Sequence, residues 1–467
     1  MREIQEHPIL KLARGKEIWI KFSGTPIRAY ENETVAMALY REGIDVFTES
    51  SKLHRPRGMF CAIGKCSSCM MRVNGIPNVR TCILPAREGM VIEKQDMYGK
   101  LPESIEDFPE PCEIYTDIVI VGAGPAGLSA ANILKDFNIR VLLVEQNPKL
   151  GGQLIKQTHK FFGSENEMAG TRGFEIANIL IQNIKDSNIN YKTDSTAFGF
   201  YPDSTLAIFQ NNQLLKVHSK YFFFATGASE KMIPFAGNDV PGVFGAGAAQ
   251  TMMNVFGIKP GKDILMVGAG NVGLIVSYQL LQAGINVKAV IEAMPKIGGY
   301  FVHAAKLRRF GVPILTGTTI KEVMGTKRVE KAISVALDEE FKEIEGSEKE
   351  WNVDTVCLST GLMPSVNLLS QAGCTLKYVS SLGGYVPIRN RELRTSRETI
   401  YVAGDVSGIE EASTAMVEGK IASLAILEKI GYATGREKEK NIEELQRLRE
   451  GPFSSKIVES LGEVTYE

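Results

Sequence analysis

The sequence predicts an α/β protein in which two nested α/β domains follow a small α+β domain. The first observation behind this fold class is an internal repeat. DIVIVGAGPAGLSAANIL (117–134) reads as an apolar strand, a glycine turn and a helix, and DILMVGAGNVGLIVSYQLL (263–281) repeats that order. The second observation is that four of the seven cysteines lie within residues 61–82, ahead of the first copy of the repeat. The two patterns together predict three domains.

Length and composition limit the class of protein. The 467 residues suffice for about two to four domains. With 44% hydrophobic and 23% charged residues the composition is that of a globular protein, which excludes a collagen, a disordered tail protein and a coiled-coil rod. A net charge of −1 provides no overall field for nucleic acid or anionic lipid. The longest apolar runs, such as residues 221–225, are too short to span a bilayer, and no signal-peptide pattern opens the chain, so the sequence predicts a cytoplasmic protein.

The first hundred residues read as a small α+β domain. EIWIKF (17–22) alternates like a half-buried strand, and a helix is predicted from about Thr34 to its stop at Gly43. A loop rich in Gly and Cys follows, and MMRVNG (70–75) reads as a strand that ends in an Asn-Gly turn. We therefore predict a domain over residues 1–100. Residues 101–114 are the predicted linker, because LPESIEDFPEPC (101–112) holds three prolines and four acidic residues.

The cysteine cluster has the spacing Cys61-x4-Cys66-x2-Cys69-x12-Cys82, which is that of plant-type ferredoxins. Two sulfide-bridged irons need four thiolates that converge on a small volume, and three can come from one loop with small and Gly residues. The pattern therefore predicts a [2Fe–2S] site in a β-grasp ferredoxin-like domain, with these four cysteines as ligands. A zinc site or unligated thiols are the alternatives, although structural zinc more often uses two separated cysteine pairs.

The first glycine turn, Gly122-x-Gly124-x-x-Gly127, has the strand and helix context of a Rossmann-like dinucleotide site. The first glycine makes the turn, the second lets the backbone approach a pyrophosphate, and the third lets helix and strand pack. Glu145, 23 residues after Gly122, ends the next strand and can accept hydrogen bonds from a ribose.

The second glycine turn repeats this pattern with Gly268, Gly270 and Gly273, and Asn271 and Val272 complete it. Glu292 holds the acidic position, and a carboxylate there repels a 2′-phosphate. No arginine follows within the next three residues. The second site is therefore expected to prefer NAD(H) to NADP(H), or to hold another adenine nucleotide such as ATP. The alternative is a vestigial, empty site.

These motifs resemble, in order, those of the two-dinucleotide-fold flavin disulfide reductase superfamily over residues 115–435. FFFATGA (222–228) and LSTGLMP (358–364) resemble the two crossover strands, and TIYVAGDVSG (399–408) resembles the second FAD motif. The resemblance implies an FAD domain over residues 115–243 and 362–435 and an NAD-type domain over 244–361. Beyond it, REKEKNIEELQRLRE (436–450) reads as a charged, solvated or subunit-packing helix, so we predict a C-terminal helical tail over 436–467. The cofactor-binding residues that the resemblance implies beyond the three glycines and Glu145 of the first turn are Pro125, Ala126, Gly152, Gln153, Thr226, Gly227, Gly404, Asp405, Thr414 and Ala415 for FAD, and Gly361 at the second crossover.

One departure from that superfamily bears on function. Its members carry a redox-active cysteine pair beside the flavin, whereas residues 115–435 contain only Cys357 and Cys374, which are not paired by spacing. Electrons must therefore leave by another route.

A narrower resemblance covers almost the whole chain. Residues 55–90 are similar to the iron–sulfur part of bacterial amine dehydrogenases, hydrogen cyanide synthase and sarcosine oxidase alpha subunits, and GGQLIKQTHKFFG (151–163) is similar to the same alpha subunits. This implies the electron-transferring subunit of a heteromeric amine or amino-acid dehydrogenase (proline, hydroxyproline, sarcosine, glycine or opine). The substrate would be oxidised on a separate, FAD-containing beta subunit of the D-amino-acid oxidase type. Small ferredoxin-type subunits, FMN at an interface between subunits and an electron acceptor at the membrane are further features that the resemblance leaves open.

Two other functions remain open from the sequence. Two intact dinucleotide motifs are typical of a self-contained NADH:acceptor oxidoreductase, and a fixed nucleotide would suit a scaffold subunit. No side-chain constellation for acid–base or nucleophilic catalysis stands out, and the five histidines are scattered. The sequence therefore predicts electron relay through cofactors, with no assigned catalytic side chain.

Overall fold

The computed structural model describes residues 2–95, 99–100, 110–161, 163–451 and 454–466. The chain forms two compact units. The first contains residues 1–104 and 230–361, and the second contains residues 105–229 and 362–467. The mixed α/β class predicted from the sequence is confirmed. The N-terminal region and the second α/β region, which the sequence separates into two domains, lie in one unit.

The N-terminal region is a five-stranded mixed sheet that covers one short helix. Its elements are β1 (Glu17–Phe22), β2 (Thr25–Tyr30), α1 (Val35–Arg41), β3 (Thr48–Glu49), β4 (Pro56–Arg57), β5 (Met70–Val73), β6 (Ile76–Arg80) and β7 (Val91–Glu93). The sheet order is β2-β1-β7-β5-β6, with β1 parallel to β7. Asn74 and Gly75 turn β5 into β6 with φ of 49° and 82°, as the Asn-Gly signal predicts.

The second unit begins with a sheet whose central strands are parallel. The elements are β8 (Cys112–Val121), α2 (Pro125–Leu134), β9 (Val141–Val144), α3 (Gly173–Lys185), β10 (Ile189–Lys192), β11 (Ser195–Phe200), β12 (Thr205–Gln210), β13 (Gln213–Phe224) and β14 (Ala228–Glu230), with 3₁₀ turns at Gly152–Lys156 and Glu165–Glu167. The order is β10-β9-β8-β13-β12-β11, and the later strand Ile400–Val402 adds beside β13. Because β8 begins at Cys112, the last three residues of the predicted linker 101–114 are strand, and residues 101–109 lie outside the described residues.

The first unit is completed by a five-stranded parallel sheet and an antiparallel three-stranded sheet. The elements are β15 (Val243–Gly245), α4 (Ala246–Phe256), β16 (Asp263–Val267), α5 (Asn271–Gln282), β17 (Asn286–Glu292), α6 (Phe301–Arg309), β18 (Ile314–Thr316), β19 (Thr318–Met324), β20 (Lys331–Ala336), β21 (Lys349–Trp351) and β22 (Thr355–Leu358). The parallel order is β15-β22-β16-β17-β18.

The N-terminal region shares a core with this second sheet region. Phe244, Ala248 and Met252, on β15 and α4, pack in the same apolar cluster as Ile20 and Leu39 of the N-terminal region. The two regions therefore bury apolar surface against each other, which is the physical reason that they form one unit.

The second unit ends with a helical region. Its elements are β23 (Leu362–Pro364), α7 (Asn367–Gln371), β24 (Leu376–Val379), β25 (Gly384–Pro387), β26 (Arg389–Asn390), β27 (Ile400–Val402), α8 (Ala412–Ile430), α9 (Gly435–Leu448), α10 (Ser455–Gly462) and β28 (Thr465–Tyr466), with 3₁₀ turns at Ser380–Leu382 and Asp405–Ser407. The charged helix predicted in the tail corresponds to α9. No helix within the described part of the chain is long and apolar enough to cross a membrane.

Candidate functional site

The first glycine turn is shaped by backbone contacts that exclude side chains. Gly122 has φ of 106°, and a Cβ there would lie 2.2 Å from the carbonyl oxygen of Ala225. A Cβ on Gly127 would lie 1.9 Å from the carbonyl oxygen of Gly122, so helix α2 can approach the turn only with glycine at this position. A Cβ on Gly124 would meet no atom within 4 Å. Side chains are therefore excluded at Gly122 and Gly127, where the turn packs against the rest of the protein. The space beside Gly124 is open and lies in front of the first amides of α2, where a pyrophosphate is held in such folds.

Glu145 joins this turn to the end of β9. Its Oε2 accepts the N–H of Ala123 at 2.9 Å, and its Oε1 accepts the N–H of Asn147 at 2.9 Å. Burial raises the pKa of this carboxyl. Oε1 also accepts the side-chain N–H of Asn147 at 2.8 Å, so the carboxylate braces the turn, and the acceptor for a ribose hydroxyl would be Oε2.

The segment Gly151–Gly152 lies directly on the turn. The Gly151 N–H donates to the carbonyl of Ala123 at 2.9 Å, and a Cβ on Gly152 would lie 2.6 Å from the Cα of Gly124. Gln153 follows in the 3₁₀ turn Gly152–Lys156. The structure thus brings this segment, suggested by resemblance alone, to the phosphate end of the site.

The second FAD motif contains β27 and the turn that follows it. The Gly404 N–H donates to Glu418 Oε2 at 2.8 Å, and Gly404 has φ of 76°. Asp405 keeps some accessible surface, yet its dense surroundings raise the pKa of its carboxyl to about 7, with burial as the main cause. A buried carboxyl needs hydrogen-bond partners, and a ligand that bears hydroxyl groups would supply them. Together with the open Gly124 position, these residues fit FAD.

The remaining residues suggested for FAD lie at the crossover and at the start of α8. The Thr226 hydroxyl donates to the carbonyl of Ser365 at 2.8 Å, so it fastens the first crossover strand, and Gly227 follows with φ of 64°. Thr414 and Ala415 are in the first turn of α8, where Thr414 Oγ1 donates to the carbonyl of Glu411 at 2.7 Å. The Thr414 hydroxyl thus bonds within the first turn of α8. The backbone N–H groups at the start of this helix, which have no acceptor within it, are the groups that could face a flavin.

The second glycine turn reproduces the first contact for contact. Gly268 has φ of 106°, and a Cβ there would lie 2.1 Å from the carbonyl oxygen of Ser359. A Cβ on Gly273 would lie 2.1 Å from the carbonyl oxygen of Gly268, whereas Gly270 has open space. Glu292 accepts the N–H of Ala269 at 2.7 Å and that of Met294 at 3.0 Å. The second fold therefore retains the full geometry of a nucleotide-binding turn.

Sequence reasoning missed two residues of the second site. The segment EQNPKLGGQ (145–153) recurs as EAMPKIGGY (292–300), so Gly298 and Gly299 correspond to Gly151 and Gly152. The Gly299 N–H donates to the carbonyl of Ala269 at 3.0 Å. Asn271 Oδ1 accepts the N–H of Tyr300 at 2.8 Å, which gives Asn271 a local role. Extending the repeat comparison past the acidic residue would have found this segment.

The other two residues suggested for the second site lie at its edges. Val272, in the first turn of α5, is exposed, and Gly361 follows the second crossover with φ of 112°. The neighbouring Thr360 hydroxyl donates to the carbonyl of Lys231 at 3.0 Å. This bond repeats the fastening role that Thr226 has at the first crossover.

The four cysteines converge, with Cys61, Cys66 and Cys69 between β4 and β5 and Cys82 two residues after β6. Cys61 is in hydrogen-bonding contact with Cys66 and Cys82, and Cys69 with Cys82; the contact with Cys66 is the main cause that lowers the pKa of Cys61. Two backbone N–H groups, of Lys65 and Cys66, point at Cys61 Sγ at 3.4 Å. Over the described ranges, no three His, Cys, Asp or Glu side chains form a single-ion site. Thiols that meet in pairs, with amides aimed at sulfur, fit a two-iron cluster.

The cysteine loop is seated on the second α/β region. The Phe60 carbonyl accepts the N–H of Gly245, the last residue of β15, at 3.1 Å, and Phe60 and Cys61 share an apolar cluster with Val267, which precedes the second glycine turn. Arg55 forms an ion pair with Asp239 at 2.9 Å. Arg55, which precedes the cysteine loop, thus has a counterion within its own unit.

Comparison with known proteins identifies both parts. The model of the pyridine nucleotide-disulphide oxidoreductase family matches residues 116–419, and that of the 2Fe-2S iron-sulfur cluster binding domain matches residues 15–97. The chain belongs to the pyridine nucleotide-disulphide oxidoreductase family. It is an FAD-dependent oxidoreductase of that family with an N-terminal 2Fe–2S domain, which confirms the expected family and its FAD and [2Fe–2S] cofactors.

Several known proteins are similar to this oxidoreductase. One is a subunit of the opine oxidase of Rhizobium meliloti, which is 28% identical over 68% of the chain and 64% of its own length. The alpha subunit of the sarcosine oxidase of Corynebacterium sp. (strain U-96) is 26% identical over 90% of the chain and 45% of its own length. The chain thus spans less than two thirds of either relative. The crystal structure of L-proline dehydrogenase from P. horikoshii has a TM-score of 0.69 and 25% identity, over 93% of this chain and 79% of that one. The narrower resemblance to such enzymes is confirmed.

Proposed function

We propose that this chain is the electron-transferring subunit of a heteromeric amino-acid or amine dehydrogenase. The observation that carries the proposal is the combination of an FAD-type site and a 2Fe–2S domain with the lack of a redox cysteine pair between residues 115 and 435. The two cysteines in this range, Cys357 and Cys374, are buried in the core. Burial raises the pKa of Cys357 and of Cys374, and a thiol that stays protonated is a poor nucleophile. Disulfide reduction, the chemistry in the family's name, is therefore not the function we assign.

The proposed role divides between cofactors and side chains. A flavin exchanges electrons in pairs or singly, and a [2Fe–2S] cluster takes them one at a time, so the pair converts two-electron chemistry into one-electron chemistry. The residues of this chain bind and orient. The amides at α2 would hold the pyrophosphate, Glu145 the ribose and Asp405 the ribityl chain, while Cys61, Cys66, Cys69 and Cys82 would ligate the irons.

The relatives support a substrate class and a partner. Sarcosine, proline and opines share a secondary amine on a carbon that bears a carboxylate, and the two curated relatives are named as subunits. We propose that proline, hydroxyproline, sarcosine, glycine or an opine is oxidised on a separate FAD-containing beta subunit of the D-amino-acid oxidase type. FMN at the interface between subunits and small ferredoxin-type subunits belong to the same proposal.

The test is isolation of the native complex. The protein purified from its source is expected to carry a second, FAD-containing chain, and the complex should reduce a dye with one of these amino acids. The chain expressed alone should then show essentially no such activity and should regain it when mixed with the second chain. Full activity of the chain alone with proline, sarcosine or glycine would contradict the proposal.

A second candidate function, an NADH:acceptor oxidoreductase, is favoured by the complete geometry of the second turn. Glu292 presents a carboxylate where a 2′-phosphate would lie, so NADH is the expected donor and NADPH the matched control. Anaerobic NADH should bleach the flavin within one turnover if this function holds, and NADPH should act much more slowly. No bleaching by NADH would reject it. NAD or ATP released by denaturation would then favour a fixed nucleotide and a scaffold role for this fold.

A further inference from the structure

The tail of the chain lies beyond the family match, which ends at residue 419. Helix α9 and the residue that ends it, Arg449, belong to this tail. Helix α9 looks like a solvated helix by composition, yet the Arg449 side chain is only 16% exposed. Its guanidinium reaches into the turn that carries the second FAD motif.

Glu418, on α8, places its side-chain carboxylate at that turn. It is 2% exposed, and its Oε2 accepts both the Gly404 N–H at 2.8 Å and the Ser407 hydroxyl at 3.1 Å. The next residue, Gly419, packs on helix α2, since a Cβ there would lie 2.2 Å from the carbonyl oxygen of Ala126. Neighbouring residues of α8 thus hold the Gly404–Asp405 turn and the helix of the first glycine turn in register.

A buried carboxylate needs a counterion to remain ionised. Arg449 Nη2 donates to Glu418 Oε1 at 2.7 Å, and Arg449 Nε donates to Glu410 Oε2 at 2.9 Å. The other cation at this place, Arg389, is 3.8 Å from Glu418 Oε1, beyond hydrogen-bond distance. Arg449 is therefore the group that pairs directly with both carboxylates.

The charges of this cluster bear on Asp405. Glu418 and Glu410 lie close enough to raise the pKa of Asp405 in addition to burial. Without a paired cation, the three carboxyls would repel one another in a confined volume. Pairing with Arg449 offsets the charges of Glu418 and Glu410 and fixes both side chains around the motif.

We propose that Arg449, supplied by the tail, is a positioning residue for FAD. It holds the Glu418 carboxylate on the Gly404 N–H, and through that hydrogen bond it fixes the turn that presents Asp405. Arg449 itself need not touch the cofactor. The inference rests on FAD binding at the first site, and it adds to the family's FAD motifs a residue that those motifs do not contain.

The experiment compares FAD release from the full-length holoprotein and three variants, followed by flavin fluorescence on dilution. Arg449→Met should release FAD at least about tenfold faster, since it leaves a buried carboxylate without its direct partner. Arg449→Lys should recover part of the loss. The control is Arg447→Gln on the same helix, where the side chain is 59% exposed and pairs with Glu444; it should release FAD like the parent protein.

A double variant separates positioning from mere packing. In Glu418→Gln/Arg449→Met the amide oxygen can still accept the Gly404 N–H, and one carboxylate and one guanidinium are removed together, so Glu410 keeps Arg389 as its nearby cation. FAD retention should therefore recover part of the tenfold loss. Equal release from Arg449→Met and the parent protein would overturn the proposal. So would a loss that the double variant does not recover, or a loss as large in Arg447→Gln. A parent protein purified without FAD would instead reject the flavin site on which the proposed function rests.

Discussion

Replacing Cys66 with serine is expected to abolish the iron–sulfur centre and leave the flavin in place. Cys66 lies in the loop after β4, with its thiol against Cys61. A serine has nearly the same shape, so the loop should keep its fold, but a hydroxyl is a far weaker iron ligand than a thiolate. Iron should fall from about two atoms per chain to nearly none, and the visible absorption and the signal of the reduced cluster in electron paramagnetic resonance should disappear.

The control for this change is Cys112→Ser. Cys112 is an exposed residue at the start of β8 and lies outside the cysteine cluster in sequence. This variant should retain both iron and flavin. Undiminished iron in Cys66→Ser would contradict the ligand assignment, and zinc in place of iron in the parent protein would contradict the [2Fe–2S] centre.

The Gly124→Val variant is expected to fold and to lose FAD essentially completely. A Cβ at this position meets no atom within 4 Å, and the residue's φ of −77° suits valine. The added methyl groups would occupy the space in front of the first amides of α2, where the pyrophosphate must approach the backbone. The measurement is the flavin absorption of the purified protein, together with its circular dichroism to confirm the fold.

The matched control is Gly270→Val in the second turn. This position is also open and has φ of −73°, so the variant should fold equally well. It should keep FAD and lose whatever adenine nucleotide the second fold binds. If Gly124→Val retained its flavin, or if Gly270→Val lost it, the assignment of FAD to the first turn would be wrong.

The motifs that sequence reasoning found are those whose chemistry is local. The spacing from Cys61 to Cys82 and the glycines at 122, 124 and 127 are each read from one short segment, because one loop or one turn supplies most of the contacts. The same holds for the strand Glu17–Phe22 and the helix from Val35, whose apolar periods and stop signals lie in the segment itself.

The sequence does not report packing between distant segments. It separates residues 1–100 from 244–361, because composition and motif change between them. The structure joins these regions, since Phe244 and Met252 bury their side chains in the core of the N-terminal sheet. The apolar periodicity of either segment carries no information about a core that it shares with a distant segment.

By itself the sequence determined the fold class and the positions of the two glycine turns, and it predicts the four cysteines as cluster ligands. Only the tertiary structure decided which residues hold those motifs in place. Glu418 lies within α8 and Arg449 ends α9, 31 residues further along the chain, and their bond forms because the two helices pack against each other and bring a buried carboxylate and a guanidinium together. A short motif encodes its own backbone geometry, whereas the desolvation of a charge depends on everything that surrounds it in the folded chain.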